Sequence, residues 1–374
     1  MEQTLVRDGK TLKYGYTTGT CAAGAAMAAV TALETGEAPA WVTVSTPKGW
    51  PVVLEILDPS TGADWAEASV RKDAGDDPDV THNHLISVRV SRTGDGRISF
   101  AAGKGVGVVT KPGLQIPVGE AAINPVPRKM ITEALAPYLQ PDRGYIVTVS
   151  APEGEALALK TFNPRLGIVG GISIIGTSGI VEPMSEEALK ESLAVDLGVK
   201  RAQGLDLVVL TPGNYGRELG LTLRIPEDRV VKTSNFAGFM LDRAAELGFS
   251  RVLWVGHLGK LVKVAGGIFQ THSSVADGRL EILAAWAGAE GAEAGLIRAI
   301  LQSNTTEEAV ALLEAAGLMQ VFQRLAGQAS LRSEIRSAGR LRVGTILFTL
   351  EKGVVGMDGA ASAMLKEIRH EEAD

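Results

Sequence analysis

A chain of 374 residues, 45% apolar and 21% charged, is long enough for two cores and belongs to the globular class. A net charge of −6 lacks the electropositive footprint of a nucleic-acid binder, and one cysteine, Cys21, excludes a disulfide framework, a multi-cysteine zinc site and an iron–sulfur cluster. The 44 glycines, without repeats or low complexity, imply many turns where backbone meets backbone or ligand closely. The first sixteen residues contain no apolar core after their charges. The longest uncharged stretches, 14–33 and 166–181, are rich in Ala, Thr and Gly or broken by glycine. Neither a secretory signal nor a membrane span is expected, and a cytoplasmic location is.

In chain order, Thr18-Gly19-Thr20 and the alanine-rich run after it predict a helix capped by Thr18 or Thr20 and ended by Gly36. Residues 41–47, 51–57, 63–72, 85–92 and 97–100 alternate or are β-rich, with turn signals such as PKG and TGDG between them. A helix over 127–138 and a strand over 144–150 complete an α+β domain expected to span 1–165. From 166 onward the texture changes. An amphipathic helix over 185–200 precedes the continuous apolar strand LDLVVLT, and VVKTSN and RVLWVGH each run into a helical segment. Strand alternating with helix at this spacing predicts parallel βαβ units, so 166–374 is expected to form an α/β domain. Residues 281–325 read as largely helical, 343–350 as a late strand and 359–372 as a closing helix.

Four segments can carry chemistry. Residues 70–81 place Asp73, Asp76, Asp77 and Asp79 around Gly75 and Pro78, which forbid a helix. These carboxylates can ligate Mg²⁺ or Ca²⁺, although the spacing is not that of an EF-hand, or they can cap backbone N–H groups in a turn. In residues 103–113, glycines with Lys104 and Lys111 form either an anion cradle or a tight β-turn, without P-loop order. Between 161 and 180, Arg165 stands before two glycine clusters that include Gly170, Gly171 and Thr177. A flat ligand could lie against that backbone, or the segment could be a structural crossover.

The fourth segment, Pro212-Gly213-Asn214-Tyr215-Gly216, lies at the carboxyl end of an apolar strand, where open α/β sheets bind ligands. It is not GxGxxG, so a nucleotide-like ligand is indicated and a dinucleotide is not. Thr233-Ser234-Asn235 and His257 to Lys260 end strands on the same expected rim. His257 is either ligand-facing or simply hydrogen-bonded structure. Cys21, opening a helix, is expected to be buried and not reactive, although a helix N-terminus can lower a thiol pKa.

The strings YGYTTGTCAAGAA, VRKDAGDDPDVT, GKGVGVVTKPGL, INPVPR, TFNPRLGIVGGISIIGTSGIVEPMS, PGNYG, KTSNFAGFML and GKLVKVAGGIFQTHS, in this order, strongly resemble the CbiD family, the cobalt-precorrin-5B C1-methyltransferases of anaerobic cobalamin biosynthesis. The resemblance runs from about residue 12 to beyond 275. It implies transfer of a methyl group from S-adenosylmethionine (SAM) to ring carbon C1 of a cobalt-containing tetrapyrrole, with no metal of the protein's own. The second domain, Rossmann-like in its strand–helix alternation, agrees with SAM binding although the usual methyltransferase glycine signature is not seen; SAM is placed there by inference, with Gly170, Gly171, Thr177, Gly213, Asn214 and Gly216 as candidate SAM contacts. Lys104, Lys111, Arg128, Arg165, Lys232 and Lys260 are candidate partners for the substrate's acetate and propionate arms. Thr18, Asp76 and Asp77 are the candidate catalytic residues, and a homo-oligomer is compatible with the family.

A substrate that brings its own cobalt leaves the acidic loop without need of Mg²⁺. Lining an octa-anionic pocket with carboxylates would be repulsive unless Arg71 and Lys72 compensate. The loop is therefore expected to cap backbone, with one or two Asp turned toward the sulfonium or a ring proton. The competing readings are a Mg²⁺-dependent phosphotransferase, with Asp on metal and GKGVG on phosphate, and a non-catalytic corrinoid carrier.

Overall fold

Eighteen residues dominated by Ala, Gly and Thr form helix α1 (Thr18–Thr35), and fourteen of them are buried. A helix that is small and apolar all round must lie inside a core. Its cap is Thr17, and neither Thr18 nor Thr20: the Thr20 N–H donates to Thr17 Oγ1 at 3.2 Å. Gly36 ends it in the left-handed region at φ 83°, donating its N–H to Ala32 O. The structure, a computed structural model, describes residues 3–7 and 9–371.

One face of α1 packs on a five-stranded sheet of β1 (Leu57–Thr61), β2 (Trp65–Arg71), β3 (Leu85–Thr93), β4 (Ile98–Ala102) and β5 (Gly144–Ser150). The strand order is β1-β2-β3-β5-β4, antiparallel except for the parallel pair β5/β4. Alternation sends Ala66, Ala68 and Val70 of β2, with Ile86, Val88 and Val90 of β3, into the core. The hairpin Trp41–Ser45/Pro51–Glu55 turns Val42, Val44, Val52 and Leu54 inward. Gly24 of α1 meets that hairpin, because a Cβ there would come within 2.5 Å of Leu54 Cδ1. Helix α2 (Pro125–Leu135) packs on α1.

The chain divides into two compact units after Glu186, and not near residue 165. Residues 166–181 stay with the first unit because they pair back into it. Ile168–Val169 runs antiparallel to Val108–Val109, Gly171–Ile172 parallel to Gly105–Val106, and Ile180–Val181 antiparallel to Gly15–Tyr16.

In the second unit five strands, β6 (Leu207–Thr211), β7 (Val230–Lys232), β8 (Arg251–His257), β9 (Arg342–Thr349) and β10 (Gly353–Met357), form a sheet in the order β7-β6-β8-β9-β10. The first four are mutually parallel and β10 adds an antiparallel edge. The apolar runs of β6 and β8 are buried almost throughout, as a sheet covered on both faces requires. Helices α3 (Asn214–Thr222) and α4 (Ala237–Glu246) connect β6 to β7 and β7 to β8. Between β8 and β9 come α5 (Leu258–Ala265), α6 (Arg279–Ala289), Ala294–Gln302, Thr306–Ala315 and α7 (Gln320–Arg336). The chain closes with α8 (Gly359–Glu371); Glu372, where that helix was expected to end, lies outside the described residues. Among the described residues no helix is long and apolar enough to cross a membrane.

Strand β6 leads outward to β7 while β8 leads the other way to β9, so the carboxyl ends of β6 and β8 flank a topological switch point. In the first unit, the close pairing of Gly105 with Gly171 makes a different demand. A Cβ on Gly105 would overlap the Ala151 carbonyl, and its φ of +72° strains any other residue. Gly105→Ala is expected to cost about 3 kcal/mol, strain and overlap combined, measured by urea unfolding.

Candidate functional site

In the first unit the acidic loop spends its carboxylates on separate protein partners. Asp73 Oδ1 accepts the Gly75 N–H at 2.8 Å, and Asp76 Oδ2 accepts the Lys13 N–H at 2.6 Å. Asp77 Oδ1 accepts the Met184 N–H at 2.9 Å, and Asp79 Oδ1 accepts both the N–H and the hydroxyl of Thr81. Asp79 Oδ2 pairs at 2.6 Å with Lys72 Nζ, whose side chain is 1% exposed. The loop is thus a brace tying residues 13 and 184 to the end of β2. Among the described residues no three His, Cys, Asp or Glu side chains converge as metal ligands do.

These contacts set the protonation behaviour. Burial pushes the Asp77 carboxyl above its usual range, and the nearby Asp79 adds to it, against the Met184 hydrogen bond. Burial acts the same way on Asp79, but the Lys72 ammonium and the Thr81 bonds outweigh it and hold its pKa down. Cys21, wholly buried, has its thiol pushed up to about 12 by burial, with Lys72 pulling the other way.

Thr18 sits at the start of α1, buried, and latches residue 175: its hydroxyl donates to Ile175 O at 3.2 Å and accepts the Ile175 N–H at 2.9 Å. Thr177 is exposed at the tip of the same loop. The glycines of 103–107 are packing glycines, not an anion cradle. Added Cβ atoms at Gly103, Gly105 and Gly107 would strike Ser150, Ala151 and Ile168. Gly171 is likewise filled by the Gly105 backbone, whereas Gly170 is open at φ +88°. Lys104 is exposed, Lys111 lays its stem against Gly167, and Arg165 lies in the short helix Asn163–Leu166. Arg128 donates to Ile123 O and Ala121 O and pairs with Glu120 at 2.7 Å, so its guanidinium is committed to its own fold.

In the second unit four of the residues singled out in the sequence meet at the switch point. The Lys260 ammonium, from the first turn of α5, donates to Pro212 O at 2.6 Å and joins the ends of β8 and β6. Lys232, closing β7, donates to Asn214 Oδ1 at 2.8 Å. Gly213 is extended (φ −175°), and a Cβ there would meet only Lys260 Nζ, at 3.9 Å. Gly216 is a packing glycine: a Cβ on it would lie 2.6 Å from Val255 O, so its small size lets α3 pack on β8. Burial, with repulsion from Lys232 and Lys263, lowers the Lys260 pKa.

A cavity of about 470 Å³ opens beside Lys260, within the size range of small-molecule sites, and Asn235, His257, Lys263, Thr271 and Arg279 line it. His257 is structural: its Nδ1 accepts the Gly259 N–H at 3.2 Å and its Nε2 lies 2.8 Å from Glu307. Another concavity of the unit, about 510 Å³ against β10, is lined by Met319, Gln320, Gln323 and residues 354–357, none of them charged. Lys263, Thr271, Arg279 and Glu307 were missed in the sequence. Lys263 and Thr271 do stand inside GKLVKVAGGIFQTHS, where a lysine in an apolar helix signals a buried partner.

A parallel sheet with a cation-rimmed switch point, in one chain with an alanine-helix α+β unit, defines a mixed α/β protein of several sheets. The chain belongs to the CbiD family: the CbiD profile matches residues 5–183 and the CbiD C-terminal-domain profile matches 270–359. A protein of Alkaliphilus metalliredigens named cobalt-precorrin-5B C(1)-methyltransferase is 47% identical over 373 residues, covering 99% of each chain. Proteins of the same name from Thermoanaerobacter sp. and Moorella thermoacetica are each 48% identical, over 96% and 95% of this chain and 99% and 97% of theirs. The crystal structure of a cobalamin biosynthesis protein (cbiD) from Archaeoglobus fulgidus is 30% identical with a TM-score of 0.39, covering 70% of this chain and 83% of that one.

Two outcomes follow from the first unit. Asp79→Asn strands a buried ammonium and is expected to cost on the order of 3 kcal/mol in urea unfolding at pH 7. Because the folded Asp79 pKa is depressed, the aspartate's contribution is present above its ordinary pKa and fades as pH falls through the lowered value, so the variant and parent converge in acid. Cys21 is expected to resist a thiol-specific disulfide reagent at pH 8 in the folded protein and to react once unfolded. Its folded pKa is raised from 9.0 to about 12, so its contribution is whole below pH 9 and is lost between 9 and 12.

Proposed function

We propose that this chain transfers a methyl group from SAM to C1 of cobalt-precorrin-5B, and that its second unit is a Rossmann-like domain holding SAM at the β6/β8 switch point. Near-full-length identity of 47–48% to relatives named for that reaction carries the reading. When bound, SAM supplies an electrophilic methyl on a sulfonium sulfur. Electrons of ring carbon C1 form the new C–C bond, the S–CH₃ bond breaks, and its pair stays on sulfur. C1 becomes fully substituted, so the macrocycle sheds its added charge by losing a proton from another ring position.

The residues at the switch point fit such a donor. Gly213 leaves backbone open to close approach, and the N-terminus of α3 favours an anion rather than the sulfonium. The ammonium groups of Lys232 and Lys260 suit a carboxylate and would repel the sulfonium, which must therefore lie away from them. Catalysis then rests chiefly on holding C1 and the methyl carbon in line, about 3–3.5 Å apart. Asp76, Asp77 and Thr18 act in this reading as positioning residues, since their polar atoms hold Lys13, Met184 and Ile175. Lys104, Lys111 and Arg165 remain available to the substrate's carboxylate arms, whereas Gly170 and Thr177, candidate SAM contacts by sequence, lie in the first unit and form no part of a donor site at the switch point. The phosphotransferase reading loses both of its supports to the committed carboxylates and the packing glycines.

The test is transfer of radiolabelled methyl from SAM to cobalt-precorrin-5B. Label in the tetrapyrrole supports the proposal; a bound tetrapyrrole with all label left on SAM makes the protein a carrier. Gly213→Val is expected to fold normally, because its φ suits any residue, and to weaken S-adenosylhomocysteine binding by about tenfold or more. Unchanged affinity would remove SAM from the switch point.

A further inference from the structure

Thr271 is a lining residue of the second-unit cavity and is 3% exposed; among the described residues its buried hydroxyl has no hydrogen-bond partner. Its backbone is fixed on both sides. The Thr271 N–H donates to Asn235 O at 2.9 Å, and the buried Lys263 ammonium donates to Thr271 O at 3.1 Å and to Ala276 O at 2.9 Å. The chain therefore holds this hydroxyl in place at a cost to its own stability, since an unpaired buried polar group is unfavourable. Such a group is explained when a ligand completes it.

The charges around the cavity say what kind of ligand. Lys260, Lys263 and Arg279 line it, against Glu307 in the lining and Asp277 behind Arg279. In the lining itself three cations face one carboxylate, and Glu281 joins Asp277 outside it beside Arg279. Glu307 is drawn to His257, and Arg279 spends Nε and Nη2 on Asp277 at 2.7 and 2.8 Å. Among the described residues its Nη1 has no partner, and Lys260 has used one of its three donors, on Pro212. Burial, with the neighbouring lysines, disfavours the charged form of Lys260, a strain that an anion beside it relieves.

We infer that this cavity is a carboxylate subsite in which Thr271 Oγ1, Lys260 Nζ and Arg279 Nη1 receive one carboxylate group of a bound ligand. With the reaction proposed above, that carboxylate belongs either to the amino-acid part of the methyl donor or to an acetate or propionate arm of the tetrapyrrole. The shared chemistry is a single carboxylate, and the assignment of its source rests on that reading.

The test is calorimetric titration of Thr271→Val and Thr271→Ser against the parent, with two pairs of probes. S-adenosylhomocysteine has the amino-acid carboxylate and 5′-methylthioadenosine lacks it; cobyrinic acid has free carboxylates and its heptamethyl ester has none. Thr271→Val is expected to melt no lower than the parent, because the lost hydroxyl had no partner, and to bind a carboxylate probe about tenfold more weakly. Thr271→Ser is expected to keep the parent affinity. Weakening confined to S-adenosylhomocysteine, with 5′-methylthioadenosine unaffected, assigns the site to the donor. Weakening confined to cobyrinic acid, with its ester unaffected, assigns it to the substrate. Equal affinities for every probe in parent and Thr271→Val, or a lower melting temperature with unchanged affinity, overturn the subsite. These binding readouts do not depend on turnover, so failure of methyl transfer would be seen separately in the label assay.

Discussion

The hydrogen bond from Lys260 to the carbonyl of Pro212 fixes the ends of the two strands between which the second unit can admit a ligand. It does so with a charged donor that burial disfavours, and which retains donor capacity beyond Pro212. Lys232 does the same for Asn214, so two lysines hold the rim of the switch point while leaving it positive. Gly213 stays open between them because its extended backbone places nothing but Lys260 near it. The positive rim and the open backbone therefore have one origin. Strands β6 and β8 must be continuous and apolar to be buried, which leaves polar chemistry to the residues just beyond their ends.

The first unit uses charge differently. There Lys72 and Asp79 form a pair with the ammonium fully enclosed, and Asp76 and Asp77 reach out to backbone N–H groups at Lys13 and Met184. The buried pair adds little net stability, but removing one partner is costly, so it fixes the loop's conformation. Density of carboxylates marks this segment, while its use is mechanical: Asp73 and Asp79 fix the turn on itself, and Asp76 and Asp77 hold it to Lys13 and Met184.

The α1 helix, the apolar strands and the helices after them are readable because burial imposes period and composition over many residues. The helix limits at Gly36 and the strands 144–150 and 251–257 agree with the structure for that reason. The division between units was misplaced because two-residue strands such as Gly171–Ile172 and Ile180–Val181 carry no period. Their glycines pointed to ligand contact, whereas the space beside most of them is filled by neighbouring side chains, and beside Gly171 by the Gly105 backbone. Lys72 could have been recognised: it follows Ala66, Ala68 and Val70 on the inward parity of β2, so its ammonium had to find a buried carboxylate. That Gly213, Asn214, Lys232 and Lys260 lie together on one rim was legible because strand ends can be located from the apolar runs before them. Thr271, Arg279 and Glu307 lie on a loop and helices whose approach to that rim is a tertiary fact without a local signal.

The central claim is that the methyl donor occupies the carboxyl ends of β6 and β8. Its most direct test is a crystal structure of the protein soaked with S-adenosylhomocysteine. The account predicts the ligand against Gly213 and Asn214, within reach of Lys260. Well-defined ligand in the first unit, against Gly170 or the amino terminus of α1, would contradict it.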